Sequence, residues 1–195
     1  MNLPNRLTAT RLCLAPVFFI WYFAADLFAG LSSVLYSVVL VLVYGVMELT
    51  DLLDGKIARK RNLVTDLGKV LDPFGDVISH LTFFTCFLVS GLMPVWAFII
   101  ILWREFSQSF MRMLLMGKGT SMAANIFGKA KTCLYAFCTV CSIAVHVGGL
   151  FCVLPGYFYL ILDILFAFAA FSSLASFIIY IYRVSRAGTL KDMTR

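Results

Sequence analysis

Six long apolar stretches, parted by short polar connections, set the pattern of this chain: roughly 12–30, 34–55, 69–91, 94–116, 127–148 and 155–182. A helix needs about 20 mostly apolar residues to cross a bilayer, and each stretch meets or approaches that length. The second, third and fifth carry polar or charged ends, so their boundaries are soft. The pattern predicts an all-α integral membrane protein of six transmembrane helices, forming one domain over residues 1–195. Ahead of the first stretch, NLPNRLTATRLCLAP puts Pro4 at a helix start and spaces Arg6 and Arg11 at the surface. A short N-terminal interfacial helix feeding the first span is expected there. The apolar run over 12–28 is longer than a secretory h-region, and no small-x-small site precedes the next span, so no cleavage is expected.

Composition agrees with this pattern. A chain that is 62% hydrophobic and 13% charged is not built as a soluble domain. The formal charge of +6 is distributed on one side of the predicted membrane. Arg6 and Arg11 precede the first span, and Lys56, Arg59, Lys60, Arg61 and Lys69 lie around the second connection. Arg112, Lys118, Lys129 and Lys131 surround the fourth, and Arg183, Arg186, Lys191 and Arg195 form the tail. The opposite connections, DLFAGLSS, SGLMP and HVGGLFCVLPG, hold no Lys or Arg. The positive-inside rule then places both termini on the cytoplasmic side of a cell membrane. The basic excess suits an anionic lipid surface. No interleaving of aromatic and basic residues points to nucleic acid. The six cysteines sit in apolar stretches and read as packing; Cys138-x2-Cys141 lies mid-span with no second pair, and His80 and His146 have no metal-ligand spacing.

The chemistry concentrates in residues 51–76, DLLDGKIARKRNLVTDLGKVLDPFGD. On a helix, Asp51 and Asp54 share a face at i,i+3, and Asp72 and Asp76 share one at i,i+4. Two such pairs could meet in one place. Two carboxylates about 4 Å apart repel by roughly 4 kcal/mol at an effective dielectric near 20, so a meeting point demands cations. An all-oxygen carboxylate set suits Mg²⁺ or Mn²⁺. Glu48, one turn before Asp51, adds a fifth carboxylate that either pairs nearby or tunes a ligand. Gly55 and Gly68 remove side chains where a bulky ligand must come close.

With its spacing kept, the segment reads D51-x2-D54-G55-x2-A58-R59-x8-G68-x3-D72-x3-D76, and it resembles the motif of the CDP-alcohol phosphotransferases. The resemblance implies two Mg²⁺ or Mn²⁺ ions held by Asp51, Asp54, Asp72 and Asp76, with Asp76 as the general base. It implies a CDP-activated donor, here CDP-diacylglycerol, an acceptor alcohol, and release of CMP. The opening N-x-P-N-x-L-T-x-x-R is similar to that of the phosphatidylglycerophosphate synthases within the family, which implies that Asn5 and Thr8, with Gly55, Arg59 and Thr65, bind the CDP-lipid. Members of the family tend to pair, so a homodimer among membrane lipids is expected.

The fourth span holds a polar stripe, Arg104, Gln108 and Arg112 at i, i+4 and i+8, and Lys129 and Lys131 open the fifth. An intramembrane charge costs at least ~2.5–3.5 kcal/mol on insertion scales and is rarely idle. The REF and GKAKT segments resemble those of the same synthases and imply that Arg104, Arg112, Lys129 and Lys131 bind an acceptor carrying a phosphate, glycerol 3-phosphate. The other reading is charge pairing of Arg104 with Glu105 or Asp163. One departure weakens the acceptor assignment: Asp76 is followed by Val77, where those synthases carry lysine, and Val77-Ile78-Ser79 is closer to phosphatidylserine synthases. Serine, inositol phosphate or a lipid are alternative acceptors. A membrane carrier also uses intramembrane Arg and Asp, but has no use for a DG-x2-AR segment between paired carboxylates.

Overall fold

The computed structural model describes residues 2–28, 30–60, 65–117 and 126–186, with the side chains of 26, 58–59, 66–67, 69, 116–117, 126–127 and 129 outside the description. The described residues are all-helical. The helices are α1 (Leu3–Tyr22), α2 (Ala24–Leu27), α3 (Ser33–Lys60), α4 (Asp66–Val89), α5 (Val95–Gly117), α6 (Ile126–Gly149) and α7 (Tyr157–Arg186). Five of the six apolar stretches each fall on one long helix, and the first is divided between α1 and the short α2. Three of them contain segments long and apolar enough to cross a membrane: Ser33–Ile57, Ala130–Gly149 and Tyr157–Arg186. The helices carrying Arg11, Asp72, Asp76, Arg104 and Glu105 are not among these three.

The N-terminal expectation needs correction. Among the described residues no separate interfacial helix precedes Leu3–Tyr22, which is one continuous helix, and the stretch predicted over 12–30 breaks at Phe23 before the short α2. Pro4 sits in its first turn, where a missing N–H costs nothing. Pro16, at the end of the polar opening, lies inside α1 without ending it, and the polar residues have a use that keeps them helical.

The chain divides into two compact units, Met1–Ser90 with Ile143–Leu154, and Gly91–Ser142 with Pro155–Arg195. In the first, α1 packs against both α3 and α4. Aromatic rings fill the seam: Phe18 meets Phe83 edge-on at 4.6 Å, and Tyr44 meets Phe83 at 5.4 Å. Further along, the Tyr36 hydroxyl donates to the Tyr22 carbonyl at 2.7 Å and lies 2.8 Å from His146 Nε2, whose ring stacks on Tyr22. His146 is thus a half-buried histidine that packs on two tyrosines. In the second unit α5 packs on α7. Outward side chains such as Ile164, Phe168, Phe171 and Ile178 of α7 stay exposed and apolar, a surface that water disfavours and lipid tolerates.

Helix α4 begins at a side-chain cap. The Thr65 hydroxyl accepts a hydrogen bond from the Gly68 N–H at 3.0 Å, satisfying one of the orphan donors of the first turn. The cap fixes where α4 starts, and so where Asp72 and Asp76 fall. Thr65→Ala should lower stability in detergent by about 1 kcal/mol, while Thr65→Ser, which keeps the acceptor, should stay near wild type. Thermal unfolding of both proteins measures this; equal losses would show that the methyl group, not the cap, matters.

Candidate metal centre

Asn5, Thr8 and Arg11 recur every three residues along α1, and all three are buried, at 5%, 3% and 2% exposure. That spacing aligns them on one helix face, which docks on the start of α4 and the end of α3. Asn5 Nδ2 donates to the Thr65 hydroxyl at 3.1 Å. Thr8 Oγ1 lies 2.9 Å from Asp54 Oδ2 and 3.2 Å from the Pro4 carbonyl. Two residues expected at a donor site therefore also hold α1 to the aspartate helices.

Arg11 was expected at the surface, and the structure corrects this. Its guanidinium lies among all four aspartates. Nη1 pairs with Asp51 and stands 2.8 Å from Asp76 Oδ1; Nη2 stands 3.3 Å from Asp72 Oδ1 and 3.9 Å from Asp54 Oδ2. Each terminal nitrogen thus bridges one carboxylate of α3 and one of α4. A planar fork with fixed donors suits this arrangement as a flexible ammonium would not. One guanidinium offsets only part of the repulsion among four carboxylates, so the centre keeps a strong negative field.

Burial sorts the aspartates. The Asp54 side chain is 4% exposed and engaged by Thr8, whereas those of Asp51, Asp72 and Asp76 are 33%, 49% and 39% exposed. These last three each bring one oxygen within 4.8 Å of the others, close enough to hold a common ion. Hard oxygen donors, open to ligands on one side, fit a divalent cation such as Mg²⁺ or Mn²⁺. The Gly55 backbone donates a hydrogen bond to Asp54. Glu48 takes one from Tyr44, and His80 Nδ1 lies 2.8 Å from the Asp76 carbonyl rather than from its carboxylate.

Two glycines are small for reasons internal to the protein. A Cβ at Gly68 would lie 2.9 Å from Asn5 Oδ1 and 3.1 Å from Thr65 Oγ1. At Gly75 it would lie 3.0 Å from Thr8 Cγ2 and 3.1 Å from Arg11 Nη2. Gly75 went unremarked in the sequence, although it stands between the two aspartates of α4 and lets Arg11 approach them. Val77, the departure from the expected lysine, is buried.

The second unit holds a separate charged network. Arg104 Nη1 donates to Glu105 at 2.9 Å, Nε to the Ser173 carbonyl at 3.3 Å, and Nη2 to Ser176 Oγ at 3.2 Å. Lys131 Nζ reaches the same Glu105 oxygen at 2.5 Å and lies 4.6 Å over the Tyr135 ring. The Tyr135 hydroxyl stands 3.1 Å from that oxygen and 2.8 Å from Ser173 Oγ. Arg104 thus pairs with Glu105, one of the two partners considered, while Asp163 is exposed on α7. Arg112 is half-buried on α5. The side chains of Arg59 and Lys129 lie outside the described residues.

Residues 1–169 match the family described as CDP-alcohol phosphatidyltransferase. The chain is 40% identical over 144 residues to the CDP-diacylglycerol–glycerol-3-phosphate 3-phosphatidyltransferase of Treponema pallidum (strain Nichols), covering 69% of this chain and 65% of that protein. It is 37% identical over 136 residues to the protein of the same description from Bacillus subtilis (strain 168), covering 67% and 70%. A cardiolipin synthase (CMP-forming) of Streptomyces coelicolor is 31% identical over 140 residues, covering 70% and 63%. The matched region is thus just under two thirds of the length of the Treponema and Streptomyces proteins.

The packing around Gly75 carries a prediction. Gly75→Ala should overpack the contact between α1 and α4 and cost about 1–3 kcal/mol. Gly45→Ala on α3, where a Cβ would meet nothing within 4 Å, should be neutral or stabilising. Melting temperatures of the two variants, compared side by side, measure the difference.

Proposed function

The chain belongs to the CDP-alcohol phosphatidyltransferase family, and from that membership we propose that it transfers the phosphatidyl group of CDP-diacylglycerol to glycerol 3-phosphate, giving phosphatidylglycerol phosphate and CMP in phospholipid biosynthesis. The observation that carries the reading is the convergence of Asp51, Asp72 and Asp76 within the matched residues. The Treponema and Bacillus relatives, both described as glycerol-3-phosphate 3-phosphatidyltransferases, supply the acceptor.

In this proposal Asp51, Asp54, Asp72 and Asp76 hold two Mg²⁺ or Mn²⁺ ions, which when bound neutralise the donor's diphosphate. Asp76 accepts the proton of the acceptor hydroxyl. The new bond joins the acceptor oxygen to the phosphorus bearing the lipid, the bond from that phosphorus to the CMP oxygen breaks, and CMP leaves. Gly55, Arg59, Asn5, Thr8 and Thr65 bind the CDP-lipid, the last three partly by fixing the face of α1 against which it lies. Arg104, Arg112, Lys129 and Lys131 recognise the acceptor's phosphate. Glu105 already engages Arg104 and Lys131, so Arg112 is the clearest of these to test. The long helices α1 and α3–α7 span the membrane in this proposal, with the aspartates and both termini cytoplasmic and two chains paired. The one-sided distribution of Lys and Arg supports that orientation.

A second reading has its own support: the Streptomyces relative is described as a cardiolipin synthase, and Val77 replaces an expected cation. The acceptor would then be a lipid alcohol. Purified protein given CDP-diacylglycerol, Mg²⁺ or Mn²⁺, and in turn glycerol 3-phosphate, phosphatidylglycerol, serine or no acceptor should release CMP with phosphatidylglycerol phosphate only in the first mixture. Product mass spectrometry decides; cardiolipin from phosphatidylglycerol would move the assignment to the second reading. Asp76→Asn should lower turnover by at least about 100-fold with folding intact. Arg112→Ala should raise KM for glycerol 3-phosphate about tenfold and leave that of the donor near wild type, the pattern of a lost acceptor contact.

A further inference from the structure

Arg11 sits where a divalent cation would sit. Of the three carboxylates whose oxygens lie within 4.8 Å of one another, Asp51 and Asp76 are paired with Nη1 and Asp72 with Nη2. A guanidinium and a divalent ion repel, so occupancy of these oxygens by one weakens the hold of the other. The guanidinium has little freedom to retreat. It is 3% exposed as a side chain, and a Cβ at Gly75 would come within 3.1 Å of its Nη2. Its bonds also do what a bound cation does structurally, tying the end of α3 to α4 through both nitrogens.

We propose that Arg11 is a positioning residue that holds the four aspartates together before ions bind and thereby sets, downward, the centre's affinity for divalent cations. The inference rests on the proposed metal centre and concerns a residue to which the family resemblance gave no role. Without Arg11 the carboxylates repel one another and the ion-free protein loses a tie between its helices. The same loss leaves a more negative centre, which takes up cations more tightly. A residue that merely filled space would not combine these two effects.

The test uses full-length protein in detergent, with free Mn²⁺ followed by electron paramagnetic resonance and unfolding followed thermally. Arg11→Met should bind Mn²⁺ at least tenfold more tightly than wild type. In EDTA it should melt at a lower temperature, and saturating Mn²⁺ should close the gap. Arg11→Lys keeps one charge but loses the fork; its Mn²⁺ affinity should stay within threefold of wild type while its melting temperature in EDTA falls. A folded Arg11→Met protein that binds Mn²⁺ no more tightly than wild type would overturn the inference. If Arg11→Met cannot be purified, Arg11→Lys decides: melting in EDTA at the wild-type temperature, or a tenfold gain in affinity, would overturn it equally. Wild-type protein that takes up no Mn²⁺ at all would instead remove the metal centre itself, a result distinct from either of these.

Discussion

Four carboxylates on two helices will not stay together unless something positive lies between them. In this protein the described cation is Arg11, and much of the first unit follows from its position. To put a guanidinium between Asp51, Asp54, Asp72 and Asp76, α1 must run alongside both α3 and α4. Asn5 and Thr8 fix its rotation, one through the Thr65 cap and one through Asp54. Gly68 and Gly75 let it come close enough. Away from the charges, Phe18, Phe83 and Tyr44 carry the same helix seam into an apolar core.

The second unit solves a similar problem with the signs reversed. Two buried cations, Arg104 and Lys131, share one carboxylate, and Tyr135, Ser173 and Ser176 take up remaining hydrogen-bonding capacity. Removing one partner of such a network leaves an uncompensated buried charge, so its members act as a set. Glu105 is its hinge, because the three donors meet on one of its oxygens.

The aspartates were legible in the sequence because their chemistry is periodic: i,i+3 and i,i+4 spacings on helices put carboxylates on a face whatever the packing. The six apolar stretches were legible for the same reason, each long enough to be a helix by itself. Arg11 was not. A basic residue ahead of an apolar run reads as a topology charge, and only the arrival of α3 and α4 reveals its partners. Its spacing of three from Asn5 and Thr8 was the available clue, and it pointed to one face without saying what that face met. Glu105 was ambiguous because neighbours at i,i+1 do not face each other on a helix; serines from α7 and a lysine from α6 settle the pairing. Gly75 was invisible because the atom it avoids belongs to a side chain far off in sequence.

The ion pairs of Arg11 also impose an order on biosynthesis. Arg11 is made before its hydrogen-bonded partner Asp72, which lies 61 residues later. At synthesis rates of ~5–20 residues per second, Arg11 exists for about 3–12 s before that carboxylate has been made. Until Asp51 and Asp54 of α3 are made the guanidinium lacks all four carboxylates, and until α4 follows it lacks Asp72 and Asp76. The four ion pairs are therefore complete only once α4 has been made, although the residue that joins them precedes every one of its partners in the chain.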